Sequence, residues 1–309
     1  MTFVIHANLD CEARWAGTTL PGAVATRVSH YAALLAALAP GDLEIEVWAP
    51  AAIDPARLCP ATGWTPPVMR VGAPPRADLV WADSKAKAAN DRRLALRVAT
   101  SRGAALPGAK VITSVDQVAA IAGPWVAKSP WTTAGRDRCH GAGAPTDEQR
   151  TRLTRLLERS GELVLEPWVE RVLDLGVCAT VLPDGLMRAE PHHIVTDARG
   201  TFLGIDLAPP PLSADESRQL FELVSAAGGA LGELGYVGRF AVDAFVHRTA
   251  DGERRMHPLC EINARCTFGW VARALHTRFG TTELGFSTPP PGATVLIAPA
   301  DDGVTAWVA

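Results

Sequence analysis

With 309 residues, the chain has room for two or three modules, each with its own apolar core. Its composition, 48% apolar, 20% charged and 6% aromatic, is that of a soluble globular protein, and a net charge of −3 exerts no long-range pull toward nucleic acid or a membrane surface. No apolar run approaches the roughly 20 residues that span a bilayer, and Met1 to Asn8 lack the basic start and long apolar stretch of a secretory signal. The six cysteines, at 11, 59, 139, 178, 260 and 266, form no Cys-x-x-Cys pair and read as reduced thiols. A cytoplasmic protein with neither a membrane nor a nucleic-acid partner is expected. His257, Cys260 and Cys266 cluster, but not at zinc-site spacing.

The first eighty residues alternate strand and helix, the pattern of an open α/β layer. Phe3 to Asn8 is a short apolar strand. Val24, Val28, Tyr31, Leu35 and Leu38 fall on one helical face, and Leu43, Ile45 and Val47 alternate with Glu44, Glu46 and Trp48 at the strand period. Pro/Gly-rich text follows from Pro50 to Pro75, then the apolar Leu79-Val80-Trp81. A helix is predicted from about Lys85 to Ser101, stopped at Gly103.

A second unit begins after Pro107-Gly108. It holds two strand-like runs, Trp125 to Lys128 and Leu163 to Glu166, separated by a polar loop and a helix. Thr146-x-x-Gln149 is a capping box for that helix, Leu153, Leu156 and Leu157 form its stripe, and Gly161 ends it. The last unit starts near Leu173 with a strand at Val177 to Leu182. Ser213-x-x-Glu216 caps a further helix carrying Leu220, Val224 and Leu231. Phe240 to Val246 and Met256 to Ile262, joined by Thr249-Ala250-Asp251-Gly252, form a hairpin.

That hairpin carries the strongest chemical signal. Glu261 and Asn263 are two apart and share a strand face. With Asp243 opposite them, two carboxylates and an amide oxygen converge, a hard donor set suited to Mg²⁺. Upstream, the strand ending at Lys128 runs into Ser129-Pro130-Trp131-Thr132-Thr133-Ala134-Gly135-Arg136. Small hydroxyl residues and glycine can wrap phosphates with backbone N–H groups while the lysine supplies a point charge. Neither a Walker A sequence nor a Rossmann fingerprint is present.

In order, then, come a lysine strand, a small-residue loop, the strand Leu163 to Val169 broken at Glu166-Pro167, Asp174 ahead of another strand, and the Asp243…Glu261-x-Asn263 hairpin. Over roughly residues 90 to 270 this order resembles the ATP-grasp superfamily of carboxylate–amine ligases. The stretch Glu261 to Gly269 looks like that family's metal-binding segment. The resemblance implies an α/β fold (α+β in the lid) in three parts: an N-terminal α/β domain with its connecting helix over 1–107, a central lid over 108–172, and a C-terminal domain with the metal site over 173–309. It implies ATP and Mg²⁺, or Mn²⁺, as cofactors.

Residue by residue, Lys128 resembles the lysine on the nucleotide phosphates, and Thr132, Thr133 and Gly135 resemble the loop that closes over them. Glu166, with the backbone of Trp168 and Val169, resembles the hinge that reads adenine, and Asp174 the acid that holds the ribose. Asp243, Glu261 and Asn263 resemble the metal ligands, and Arg265 the catalytic cation at the γ-phosphate. The family's second lysine, early in the helix before the lid, is missing. Arg92 is its candidate substitute, and an exposed helix charge is the alternative. Arg136 and Arg138 face either an anion or solvent, and His192, His193 and Arg239 are candidates at the substrate wall. The implied reaction joins a small-molecule carboxylate to an amine or other nucleophile through an acylphosphate. A kinase and a non-catalytic ATP-binding module are the alternatives, and the oligomeric state is open, a homodimer included.

Overall fold

The computed structural model describes the chain except residues 42, 62, 121–122, 132–136 and 198–199, and the side chains of 85, 119 and 120. Four short parallel strands open it: β1 (Thr2–His6), β2 (Glu44–Ala49), β3 (Val68–Val71) and β4 (Leu79–Val80), in the order β3-β2-β1-β4. Parallel neighbours need crossovers, and the first runs through α1 (Cys11–Trp15) and α2 (Gly22–Ala32). The helical face predicted to reach Leu38 does so, but Ala33–Leu38 tightens into a 3-10 helix within a buried alanine–leucine run. The helix predicted from Lys85 begins later, as α3 (Arg92–Ser101). Asp91 caps it by accepting the Arg93 amide at 2.9 Å, while the Asn90 side chain donates to the carbonyls of Ala86 and Ala264.

The central unit is an antiparallel sheet of β5 (Lys110–Ile112), β6 (Pro124–Lys128), β7 (Arg138–Ala142) and β8 (Leu163–Pro167), ordered β5-β8-β6-β7. Helix α4 (Asp147–Ser160) lies between β7 and β8 in the chain. Both halves of the Thr146–Gln149 capping box form, and Gly161 ends the helix at φ 74°. Trp125, Leu153, Leu163 and Leu165 make the core of this unit.

The remaining chain builds a nine-stranded sheet from β9 (Glu170–Leu182), β10 (Gly185–Arg188), β11 (His192–Thr196), β12 (Phe202–Asp206), β13 (Gly238–Arg248), β14 (Arg254–Asn263), β15 (Glu283–Gly285), β16 (Thr294–Ile297) and β17 (Ala306–Val308). The order is β14-β13-β9-β11-β12-β15-β17-β16, with β10 beside β9. Helices α5 (Ala214–Glu233) and α6 (Phe268–Phe279) complete it. The Ser213–Glu216 capping box is present, and Leu220, Val224 and Leu231 are fully buried. Asp174, expected ahead of a strand, sits inside β9, because pairing with β13 extends that strand back to Glu170.

Two cores explain how the site is presented. The N-terminal sheet shares one with α6 and the β15–β17 strands. The other lies between α3, α5 and the sheet, and takes Val242, Ala244, Val246, Leu259 and Ile262 from the hairpin. Strand alternation therefore turns Asp243, Glu261 and Asn263 to the opposite face. No helix among the described residues is long and apolar enough to cross a membrane.

Candidate active site

Asp243 pairs directly with Glu261 across the β13–β14 ladder, and Ala241 with Asn263. Asn263 donates its amide to Asp243 Oδ2 at 3.2 Å. Burial, and then the neighbouring Glu261 charge, push the Asp243 carboxyl up to about 7, with Arg265, Asn263 and Arg92 pulling the other way. Two adjacent carboxylates that resist joint ionisation are what a divalent cation relieves, so this pair, with the Asn263 amide, fits Mg²⁺ or Mn²⁺. Glu261 also accepts from Arg92 at 2.8 Å, and Arg92 reaches the Ser129 carbonyl at 3.2 Å. Arg92 thus bridges the hairpin and the start of the loop after β6, which an exposed helix charge would not do.

Lys128 ends β6, and its ammonium lies 2.5 Å from Glu166 Oε2 on β8. Burial opposes the Lys128 charge, yet Glu166 outweighs it and the pKa is raised. Burial likewise opposes the Glu166 carboxylate, and Lys128 brings its pKa below the ordinary value. Both stay charged. Arg138 is depressed first by burial and then by Arg171, Arg92 and Arg152. These cations repel one another, and a polyphosphate would relieve that repulsion.

Past Glu166, the Trp168 N–H donates to the Pro124 carbonyl at 2.9 Å, and its ring meets His140 edge-on at 4.6 Å. That amide is therefore already used within the central sheet. Val169 follows, half-buried, just before β9. Asp174 accepts from Arg171 at 2.9 Å and from the Thr196 hydroxyl at 3.3 Å. The Arg171 guanidinium lies 4.0 Å over the Phe245 ring. Thr132, Thr133, Gly135 and Arg136 lie outside the described residues. Just before them, Trp131 donates its indole N–H to the Lys87 carbonyl at 2.9 Å, with the Lys87 ammonium 4.5 Å above the ring.

Arg265 is nearly saturated. It donates twice to Glu12 on α1 (2.9 and 2.7 Å), to Asn263 Oδ1 at 2.8 Å and to the Cys266 carbonyl at 3.1 Å. No local sequence signal announces the tie between Glu12 and Arg265, 253 residues apart. Beside Glu12 opens a cavity of about 480 Å³, lined by Thr18, Thr19 and Leu20 and, from across the gap, by Trp131, Asp137 and Arg159. A larger cavity, about 830 Å³, lies by the turn of the hairpin and the start of α5, with His247 and His257 in its wall, and its Arg254 already pairs with Glu216.

The weaker candidates separate. His192 is 3% exposed and packs against Gly176 and Gly269, and burial, then Arg273 and His193, lower its pKa to about 3. Arg239 stacks 5.2 Å from Trp270. Cys11 is pushed up to about 12, mainly by burial, with Glu12 and Asp10 adding to it. Among the described residues, no three His, Cys, Asp or Glu side chains gather as a metal site, and the His257 Nδ1 faces the Ala104 carbonyl at 3.1 Å.

A small antiparallel sheet carrying a lysine, set against a large sheet with a carboxylate hairpin, defines the ATP-grasp fold, and this chain has it. Phosphoribosylamine–glycine ligase from Thermotoga maritima superposes with a TM-score of 0.56 at 12% identity, over 100% of this chain and 90% of its own. N5-carboxyaminoimidazole synthase from Aspergillus clavatus, solved with ADP and 5-aminoimidazole ribonucleotide, gives 0.56 at 11% identity over 99% and 93%. An ADP complex of N5-carboxyaminoimidazole ribonucleotide synthetase gives 0.55 at 13% over 99% and 91%. At such identities the likeness is one of fold. No protein-family model matches the sequence, and no curated protein matches it.

Proposed function

We propose that this protein is an ATP-dependent ligase that activates a small-molecule carboxylate and transfers its acyl group to an amine or other nucleophile. The observation that carries this reading is the ladder pair Asp243–Glu261, half-buried, mutually repelling and bordered by the cations Arg92 and Arg265.

Asp243, Glu261 and Asn263 would hold Mg²⁺, which offsets phosphate charge when bound. Lys128 and Arg92 hold the phosphates, and residues 108–172 act as the lid. Glu166 and the Trp168–Val169 backbone border the base, and Asp174 takes the ribose hydroxyls, exchanging its bond with Arg171. A carboxylate oxygen of the substrate attacks the γ-phosphorus. The bond from that phosphorus to the bridging oxygen breaks, and ADP leaves with the electron pair. The nucleophile then attacks the acyl carbon, phosphate departs, and the incoming nitrogen loses a proton. Arg265 stabilises the charge that develops on the transferring group. Little acid–base catalysis is required, which suits a site with no His–Asp pair among the described residues.

The test is incubation with Mg-ATP and pooled carboxylates and amines, with nucleotide analysis and a mass-spectrometric search for adducts. ADP and free phosphate formed only when both co-substrates are present support the ligase. A stable phosphorylated product identifies a kinase, and ATP binding without turnover on any pool identifies a regulatory module.

A further inference from the structure

Strand β14 carries a histidine that the proposed reaction does not use. His257 stands opposite Phe245 in the hairpin, with ring centroids 4.8 Å apart. Leu259 and Met256 pack toward the helix-side core, so His257 and Phe245 lie on the other face, the one that bears Asp243 and Glu261. The residue is 3% exposed.

The chemistry of its two nitrogens follows from one contact. Nδ1 lies 3.1 Å from the Ala104 carbonyl oxygen. A carbonyl only accepts, so Nδ1 carries the hydrogen, and in the neutral ring Nε2 is a bare acceptor. Burial keeps the ring neutral, lowering its pKa to about 4 against the opposing pull of Glu166. That Nε2 is buried and finds no donor among the described residues. A buried acceptor without a partner is costly, and a ligand that brings a donor removes the cost. The other side chains whose charges act on this ring are Lys128 and Arg171. Arg171 covers Phe245 and bonds Asp174, so the ring borders the place proposed for the base and ribose.

We infer that His257 Nε2 accepts a hydrogen bond from the exocyclic amine of the nucleotide base, and so selects adenine over bases with a carbonyl at that position. The inference rests on the ATP reading. Adenine presents an N–H₂ group at its 6-position. Guanine and hypoxanthine present an oxygen there, and two lone pairs would face each other.

The experiment is calorimetric binding to the full chain, with Mg²⁺, of ATP, inosine triphosphate and purine ribonucleoside triphosphate, which has only hydrogen at the 6-position. The wild type should bind ATP about tenfold or more tightly than either analogue. His257→Phe, which keeps a ring but no acceptor, should bind all three within about threefold of one another. In ¹⁵N-histidine spectra of the wild type, one Nε2 resonance should move with ATP and stay in place with the purine analogue. Equal wild-type affinities, or an ATP preference kept in His257→Phe, overturn the assignment. If that variant does not fold, the wild-type series and the spectra still decide. Failure of ATP to bind at all would bring down the nucleotide reading and this assignment together, whereas binding without preference brings down only the assignment.

Discussion

Glu12 and Arg265, 253 residues apart, are joined by two hydrogen bonds that end on the same carboxylate oxygen, at 2.9 and 2.7 Å. The side chains are 10% and 15% exposed, so this pair is largely withdrawn from water. Through it the first helix of the chain is tied to the residue beside Asp243, Glu261 and Asn263, the proposed metal ligands. Arg265 can meet a transferring phosphoryl group only if this tie loosens or is shared.

Removing one partner of such a pair leaves an uncompensated charge, so Glu12→Leu should lose about 3–5 kcal/mol in denaturant unfolding. The double variant Glu12→Leu/Arg265→Met should regain most of that stability, because an apolar pair needs no desolvation of charge. Turnover should stay absent in the double variant. A single variant as stable as the wild type would show that the tie carries no weight.

Lys128→Met leaves Glu166 buried without its cation. Glu166 has a depressed pKa in the folded wild type, so its pairing contributes stability above its unfolded value, which is lost as pH falls through the folded pKa. Without Lys128, burial raises that pKa instead. The variant should be about 3–5 kcal/mol less stable than the wild type at pH 7, with the gap closing toward pH 4. Unfolding curves across that range check it, together with loss of nucleotide binding.

Glu261→Gln and Asn263→Ala should each lower Mg-ATP-dependent phosphate release by about a hundredfold or more in a chain that still folds, with Glu261→Gln the less stable of the two because it leaves Arg92 without its carboxylate. Titration with Mn²⁺, followed by its paramagnetic signal, should show the matching loss of cation affinity. Full activity in either variant would refute the metal assignment.

His192 is held near pKa 3, far below its unfolded value of 6.5, chiefly by burial. Between those values the unfolded chain binds the proton and the folded chain does not, so stability falls as pH drops below about 6.5. At pH 5 this one residue should destabilise the fold by about 2 kcal/mol relative to pH 8. His192→Gln should flatten that part of the pH–stability curve, and an unchanged slope would contradict the burial.

Gly141 on β7 lies against the Trp125 ring, and an added Cβ would come within 2.2 Å of it. Trp125 is fully buried in the central unit and cannot withdraw. Gly141→Ala should destabilise that unit by about 1–3 kcal/mol. Hydrogen exchange should register the loss in β6, β7 and α4, with the nine-stranded sheet unchanged.

What the sequence alone determined is what local physics writes into it. The alternation across Phe240 to Val246 and Met256 to Ile262 specified the hairpin and its polar face, and the boxes at Thr146 and Ser213 marked where two helices start. Each rests on residues within one turn or one strand of each other. The strand Arg138–Ala142 was not legible, since it lacks an apolar period and exists by pairing with β6. Asp174 reads as lying before a strand because the exposed start of β9 carries no alternation of its own. Only the tertiary structure could bring Glu12 to Arg265, Arg92 to Glu261, or leave the His257 nitrogen without a donor among the described residues. Such relations join elements far apart in the chain, and a hydrogen bond depends on a few tenths of an ångström that no residue pattern encodes.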